Sequence, residues 1–406
     1  MGGMPRGFRT SVIDPWAPAR RGQAGTNDLY AQHRPPPSVL IVRSWRARIA
    51  AAVSLIALIA LAVGVWAWRT GIPSRSAPMI AAPSMAGLNY GVPRTVSGEW
   101  VGTQWLRSES SGGYWESTRP ALQADLDFIQ LHRLGKVMRV FVGLDEAMSW
   151  DPATGFKGFE QSALQNFSAA LDMFDAHGMR VLAVLYDQQE TGSSGNFHFE
   201  ALDGAHPAMR QGYLRAADQF LGRFGARHTV IGWDLFNEPY NSLAQDGHLP
   251  APPHDNPVSP NFSDQTVHDW MRDLYRTAKA ASPTALFTFS DTTELYWNPL
   301  PDLAKYSDAV DFYDIHVYDD HPSYPNWRWI LNKPYVVGEA GASTTDSHYE
   351  NQALNSSAVA YLLDHEAAAG VSFVLAQGPA FSEATGFLTP TGAAVATFLT
   401  KNPTKS

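Results

Sequence analysis

The chain predicts an α/β protein built as a closed (βα)8 TIM barrel, preceded by a single transmembrane helix, and three observations carry the barrel. An amphipathic stretch, a glycine and an apolar run follow one another three times: Leu134-Gly135 before Val137-Met-Arg-Val-Phe-Val, His177-Gly178 before residues 179–185, and Ala369-Gly370 before residues 371–375. A left-handed glycine that ends a helix and feeds straight into a buried strand is the αβ connection of parallel sheets, whose strands read as continuous apolar runs. Eight such runs can be counted, with helical patterns filling most of the gaps. The chain has 406 residues, 45% hydrophobic and 17% charged, and a barrel of roughly 250 residues or more would use most of that length. A doubly wound open sheet is the competing architecture.

In chain order the expected strands are 87–92, 137–144, 179–186, 230–236, 285–289, 310–317, 335–338 and 372–376, with helices over 120–134, 159–176, 207–224, 266–281 and 349–369. The barrel domain is placed at 86–406. Upstream, residues 1–48 hold eight arginines against Asp14 and Asp28, a balance of +6 that leaves −15 of the net −9 to the remainder. This Gly-, Pro- and Arg-rich tail cannot bury enough apolar surface to offset ordering, so a disordered cytoplasmic segment is expected. Residues 49–68 form a 20-residue apolar run whose only polar side chain is Ser54, long enough to cross about 30 Å of hydrocarbon. Arg43, Arg46 and Arg48 precede it and Arg69 alone follows, so the positive-inside bias keeps the N-terminus cytoplasmic. The reading is an uncleaved anchor in a bacterial-type inner membrane, with a Pro/Ser/Ala linker at 69–85 and a periplasmic or extracellular barrel. A cleaved signal peptide is the rival, but its apolar core is typically about 7–15 residues. The chain has no cysteine, so neither disulfides nor thiolate metal sites are available. The acidic remainder shows no nucleic-acid footprint.

Barrel sites are built at the C-terminal ends of strands, and the polar residues concentrate there. Glu238 closes Val230-Ile-Gly-Trp-Asp-Leu-Phe-Asn-Glu-Pro, and Glu339 closes Pro334-Tyr-Val-Val-Gly-Glu. Cleaving a glycosidic bond needs one carboxylic acid to protonate the leaving oxygen and one carboxylate at the anomeric carbon, so two glutamates are the minimum equipment. Period two puts Asp314, His316 and Tyr318 on one face of the sixth strand. Arg139 sits inside the second strand, where an unpaired buried charge would cost several kcal/mol; Glu339 is its natural partner, and a purely structural ion pair is the alternative.

Trp233-Asp-Leu-Phe-Asn-Glu-Pro, Asp314-Ile-His-Val-Tyr and Val337-Gly-Glu resemble clan A glycoside hydrolases, closest to glycoside hydrolase family 5, over about residues 86–400. The resemblance implies that Glu238 is the acid/base, Glu339 the nucleophile and Asn237 the contact to the sugar 2-hydroxyl, with His316, Tyr318 and Arg139 in the family's positions on strands six and two. It implies a retaining β-glycosidase acting on a poly- or oligosaccharide, endo-acting, with no cofactor. Two departures stand out: strand three ends Leu185-Tyr-Asp-Gln-Gln where many members have a histidine, and strand eight ends Leu375-Ala-Gln-Gly-Pro where they usually present a tryptophan. Tyr186, Asp187 and Gln377 stand at those ends but are kept outside the catalytic set.

Thirteen tryptophans and fifteen tyrosines supply flat amphipathic surfaces on which sugar rings stack. Trp150, Tyr240, Trp297, Trp327 and Trp329 fall in expected βα loops, with Trp297 assigned to substrate, whereas Trp105 and Trp270 fit packing positions. His248, His254 and Asp319-Asp-His321 match neither a two-histidine helix nor a calcium loop, so no metal is expected. Two alternatives use the same residues differently: a transglycosidase with a sugar hydroxyl in place of water, and a membrane-anchored polysaccharide-binding protein with a decayed site. Protein partners are not legible.

Overall fold

The computed structural model describes residues 80–94, 96–97, 102–151, 155–186, 207–239, 264–292, 306–318, 327, 331–342, 351–382 and 387–403. The basic tail, the apolar run at 49–68 and most of the linker lie outside them. Among the described residues no helix is long and apolar enough to cross a membrane.

Eight parallel staves form the centre: β1 (Ala86–Gly91), β2 (Val137–Phe141), β3 (Arg180–Val184), β4 (Val230–Asp234), β5 in two pieces (Phe287–Thr288 and Ser290–Thr292), β6 (Tyr313–Tyr318), β7 (Tyr335–Gly341) and β8 (Val374–Ala376). The hydrogen-bonded order runs from the first piece of β5 through β4, β3, β2, β1, β8, β7 and β6 to the second piece of β5. Its two ends are therefore consecutive parts of one strand, interrupted at Phe289, and the sheet closes on itself. That closure excludes the doubly wound alternative, which needs two free edges.

Around the staves stand α1 (Trp115–His132), α2 (Gln161–Ala176), α3 (Pro207–Phe224), α4 (Asp264–Ala281), α5 (Gln352–Ala369) and α6 (Pro390–Lys401). Five lie where the apolar periodicity put them. The sixth was not expected, although Thr389 caps it by accepting from the Gly392 N–H at 3.2 Å and Pro390 starts it, a conventional helix entry. A hairpin of Met148–Asp151 against Gly155–Phe159 is inserted between β2 and α2, also unforeseen. Gly370 ends α5 at φ 80° and Gly178 follows α2 at φ 67°, as the repeated sequence pattern requires. At α1 the left-handed turn falls instead on Arg133, φ 55°. Gly135 serves a different need, since a Cβ there would lie 2.0 Å from the Ala86 carbonyl oxygen.

Two cores result. The larger fills the shell between strands and helices and includes Phe167, Phe220, Trp233 and Trp270. The smaller fills the foot of the barrel: Val137, Leu182, Phe312, Val336, Phe373 and Leu375, closed from below by Ile80, whose N–H donates to Ser372 Oγ at 3.1 Å. Period two then decides what lies above this apolar floor. Two residues further along β2 and β6 come Arg139 and Asp314; β4 contributes Asp234.

Candidate active site

Arg139, Asp234, Asp314 and His316 have no exposed surface, while Glu238 and Glu339 are 6% and 7% exposed. The carboxylates thus stand at the mouth, above a buried polar layer. Arg139 organises that layer. Its Nη1 donates to Glu339 Oε1 at 2.5 Å, and its Nη2 donates to Asp234 Oδ2 at 2.7 Å and to Asn237 Oδ1 at 2.6 Å. Its Nε lies 3.9 Å from Asp314 Oδ2, and the guanidinium carbon sits 4.8 Å over the Phe141 ring. Three carboxylates raise the arginine's pKa above an already high value against the opposing effect of burial, so the cation is permanent.

Asp314 takes the other side of the balance. Burial drives its pKa well above 3.8, opposed by Arg139 and reinforced by Asp234 and Glu339. The shift favours its neutral form, which leaves Arg139 chiefly to Asp234 and Glu339. Gly338 makes room for it: a Cβ there would fall 2.2 Å from Asp314 Oδ1.

Glu339 is aimed by an irregularity. The β7–β6 register pairs Val337 with Ile315 and then Glu339 with His316, so one residue is skipped. In a regular strand Glu339 would point away from the barrel axis, opposite to Val336. The bulge turns it inward instead, the re-aiming for which bulges are used beside active sites. Tyr318 donates its hydroxyl to Glu339 Oε2. Burial first, then the neighbouring glutamates, push the tyrosine's pKa well above 10, so the hydroxyl keeps its proton and remains a donor.

Glu238 follows β4 with φ 44°, a left-handed conformation that costs a non-glycine residue about 1–3 kcal/mol and is typical of functional positions. Its Oε1 lies 2.5 Å from His316 Nδ1. Burial lowers the histidine's pKa to about 4, against the pull of Glu339, so His316 is neutral near pH 7. Ligand atoms of Glu238, His316 and Glu339 all lie within 4.8 Å of one another. Such a trio could hold a cation in principle, but the Arg139 guanidinium already occupies Glu339 and would repel a second positive charge.

Of the residues assigned from sequence, Glu238, Glu339, Arg139, Asn237, His316 and Tyr318 come together. Trp297, Tyr240, Trp329 and Asp187 fall outside the described residues. Trp327 is buried at 2% exposure, which corrects its placement among the sugar-facing aromatics. Trp150 packs on Tyr213, ring centroids 5.7 Å apart, as part of the inserted hairpin. Tyr186 turns into the outer shell and donates to the Tyr213 carbonyl at 3.0 Å. Gln377 accepts from Asn89 Nδ2 at 2.6 Å at the edge of a groove of about 630 Å3 lined by Asn89, Tyr90, Arg94, Asp125 and Phe381. Asp234, Asn89 and Ser290 were missed. The signal for Asp234 was present, since an aspartate inside an apolar strand must find a partner; Ser290 lay one residue beyond the expected end of strand five.

No protein-family model matches the chain, and no curated protein does. Solved structures match across most of its length. A β-mannanase from the blue mussel Mytilus edulis superposes with a TM-score of 0.57 at 15% identity, covering 78% of this chain and 92% of that one. An endo-1,4-β-mannanase from Eisenia fetida gives 0.54 at 17% over 80% and 91%. GH5_18 from Streptomyces cattleya, in complex with GlcNAc, gives 0.54 at 16% over 80% and 82%. At these identities the likeness establishes the fold: a (βα)8 barrel of the kind seen in those glycosidases.

Proposed function

We propose that this protein is a retaining β-glycosidase that hydrolyses O-glycosidic bonds in a poly- or oligosaccharide by double displacement. The carrying observation is that carboxylate oxygens of Glu238 and Glu339 approach within 4.8 Å. Retaining enzymes hold their two carboxyls about 5–5.5 Å apart, and inverting enzymes leave room for a water at roughly 6.5–9.5 Å.

In the first step Glu339 attacks the anomeric carbon and forms a C–O ester bond as the glycosidic C–O bond breaks. The Glu238 proton goes to the departing oxygen. In the second, Glu238 takes a proton from water, the hydroxide oxygen bonds to the anomeric carbon with the same configuration as at the start, and the Glu339 carboxylate leaves. Arg139 and Tyr318 hold the nucleophile by one oxygen each and stabilise its returning charge. His316, neutral, fixes one oxygen of Glu238 without adding a charge. Asn237 is suited to the sugar 2-hydroxyl.

Endo action is part of the proposal, with the groove beside β1 and β8, which neither glutamate lines, as the place for further sugar rings. The named mannanases make β-1,4-mannan the first polymer to test. Incubating the chain with mannan, glucan and xylan and following the anomeric proton signals of the products by NMR should show release of reducing ends with β configuration first. An α product appearing first would overturn the retaining mechanism. Glu339→Gln should lower kcat by 10^4-fold or more, on the order expected for loss of a nucleophile.

The anchor reading is retained as part of the proposal: the apolar run at 49–68 and its arginine asymmetry support a single-pass protein with the barrel outside the cytoplasm. A reporter enzyme active only after export, fused after residue 406, should be active in cells; an inactive, stably produced fusion would reverse the orientation.

A further inference from the structure

We propose that Ser290 is a positioning residue that sets both the Asn237 amide and the Glu238 backbone. The inference rests on the glycosidase reading above. Ser290 opens the second piece of β5 and is fully buried. Its N–H donates to Asp234 Oδ1 at 3.1 Å. Its Oγ lies 3.2 Å from Arg139 Nη2, 3.2 Å from Asn237 Oδ1 and 3.3 Å from the Glu238 backbone nitrogen.

Counting protons fixes the direction of each bond. A serine hydroxyl has one hydrogen to give and two lone pairs to receive. The backbone N–H and the guanidinium can only donate, so they face the two lone pairs; the Nη2 bond is the long arm of a shared hydrogen, since its two hydrogens point chiefly at Asp234 and Asn237. The single hydrogen is left for Asn237, whose facing atom must be the carbonyl oxygen because Arg139 Nη2 also donates to it at 2.6 Å. Arg139 settles which end of the amide is which, and Ser290 adds the second donor that holds that end in place. With Oδ1 committed to the strand side, the NH2 end is turned the other way, the orientation needed to donate to a sugar 2-hydroxyl. Ser290 Oγ accepts from the N–H of Glu238, the residue at φ 44°, and so helps keep the acid/base in its left-handed conformation.

Two consequences separate this role from simple packing. If Ser290 works through Asn237, its loss should matter less once the sugar 2-hydroxyl is gone. If it works through Glu238, its loss should matter less when the leaving group needs no proton. The experiment measures kcat and KM of the full chain and of Ser290→Ala on 4-nitrophenyl β-mannobioside or β-cellobioside, whichever is turned over. The set is completed by the 2-deoxy analogue, altered at the ring next to the aglycone, and by the 2,4-dinitrophenyl counterpart.

The expected result is a fall in kcat of about 10–100-fold on the parent, in line with the cost of a small misplacement, with KM little changed. The fall should be at least threefold smaller on either modified substrate. Ser290→Thr, which keeps the hydroxyl, should recover most of the parent rate; it also serves as the readout if Ser290→Ala does not fold. Equal losses on all three substrates, or no loss, or a Ser290→Thr variant that is folded yet as slow as the alanine variant, would overturn the proposal while the glycosidase reading stood. A wild-type chain that turns over no glycoside or polysaccharide would remove that reading and this inference together.

Discussion

The chemistry of individual residues in this barrel is decided by how many neighbours share one charge. Arg139 faces Asp234, Asp314 and Glu339, and burial eases the excess of negative charge by pushing Asp314 toward its protonated form. His316 shows the same logic in reverse: it is neutral because the charged form would be buried. Its pKa of about 4 lies below the 6.5 of an exposed histidine, so between those values the unfolded chain takes up a proton that the folded chain does not. Stability should fall as pH drops from about 6.5 toward 4, by up to about 3 kcal/mol from this residue. Urea unfolding at pH 7 and pH 5 should therefore show a smaller pH difference in His316→Gln than in the wild type; an unchanged difference would mean that His316 is not the source. Six of the seven site residues assigned from sequence are among those brought together: His316 and Tyr318 showed themselves by parity along β6 and Arg139 by its buried charge, whereas Asn237, Glu238 and Glu339 were marked by their place at strand ends and by the family motif. Ser290 was not marked, since a lone serine at a strand end carries no comparable energetic demand. Trp327 failed for the opposite reason: a tryptophan in a loop reads as exposed until the packing is known.

At the scale of elements, regular strands were legible and their irregularities were not. The apolar runs located all eight staves within a few residues, because a strand buried on both faces has no alternative composition. The skipped residue in β7 leaves no mark in composition, and Val337-Gly-Glu reads as a plain strand end. Gly338 nonetheless makes the bulge possible, and Gly338→Ala tests it. The new methyl would meet Asp314, so the variant should lose about 1–3 kcal/mol of stability by overpacking and at least tenfold in kcat as Glu339 shifts. Adding Asp314→Ala, which vacates the space, should return part of the stability in chemical denaturation; no return would place the strain elsewhere. The break at Phe289 was equally silent; α6 was missed although its Thr389-Pro390 entry is a strong helix signal, because that entry follows a stretch too irregular to suggest another βα unit.

For the molecule as a whole, the barrel keeps two cores with different duties. The outer shell binds helices to strands, while the apolar floor under Arg139 holds up the charged layer and excludes water from it. Ile80→Ala should open a cavity in that floor and cost about 2–4 kcal/mol, with kcat unchanged well below the melting temperature because its cluster is made of floor residues. A large loss of kcat at low temperature would show that floor and mouth are mechanically linked. The closure of the sheet was foreseeable from the count of strands, but the seam at β5 was not: it depends on how two short pieces, Phe287–Thr288 and Ser290–Thr292, meet opposite neighbours.

Ile80 also fixes where the polypeptide joins the barrel. Ile80, the first described residue, plugs the foot, and the paired glutamates open at the far end. A tag or surface anchor joined directly at Ile80 would be attached to the blind end of the cup. Surface immobilisation through that end should thus leave the rim clear for a polymer arriving from solution.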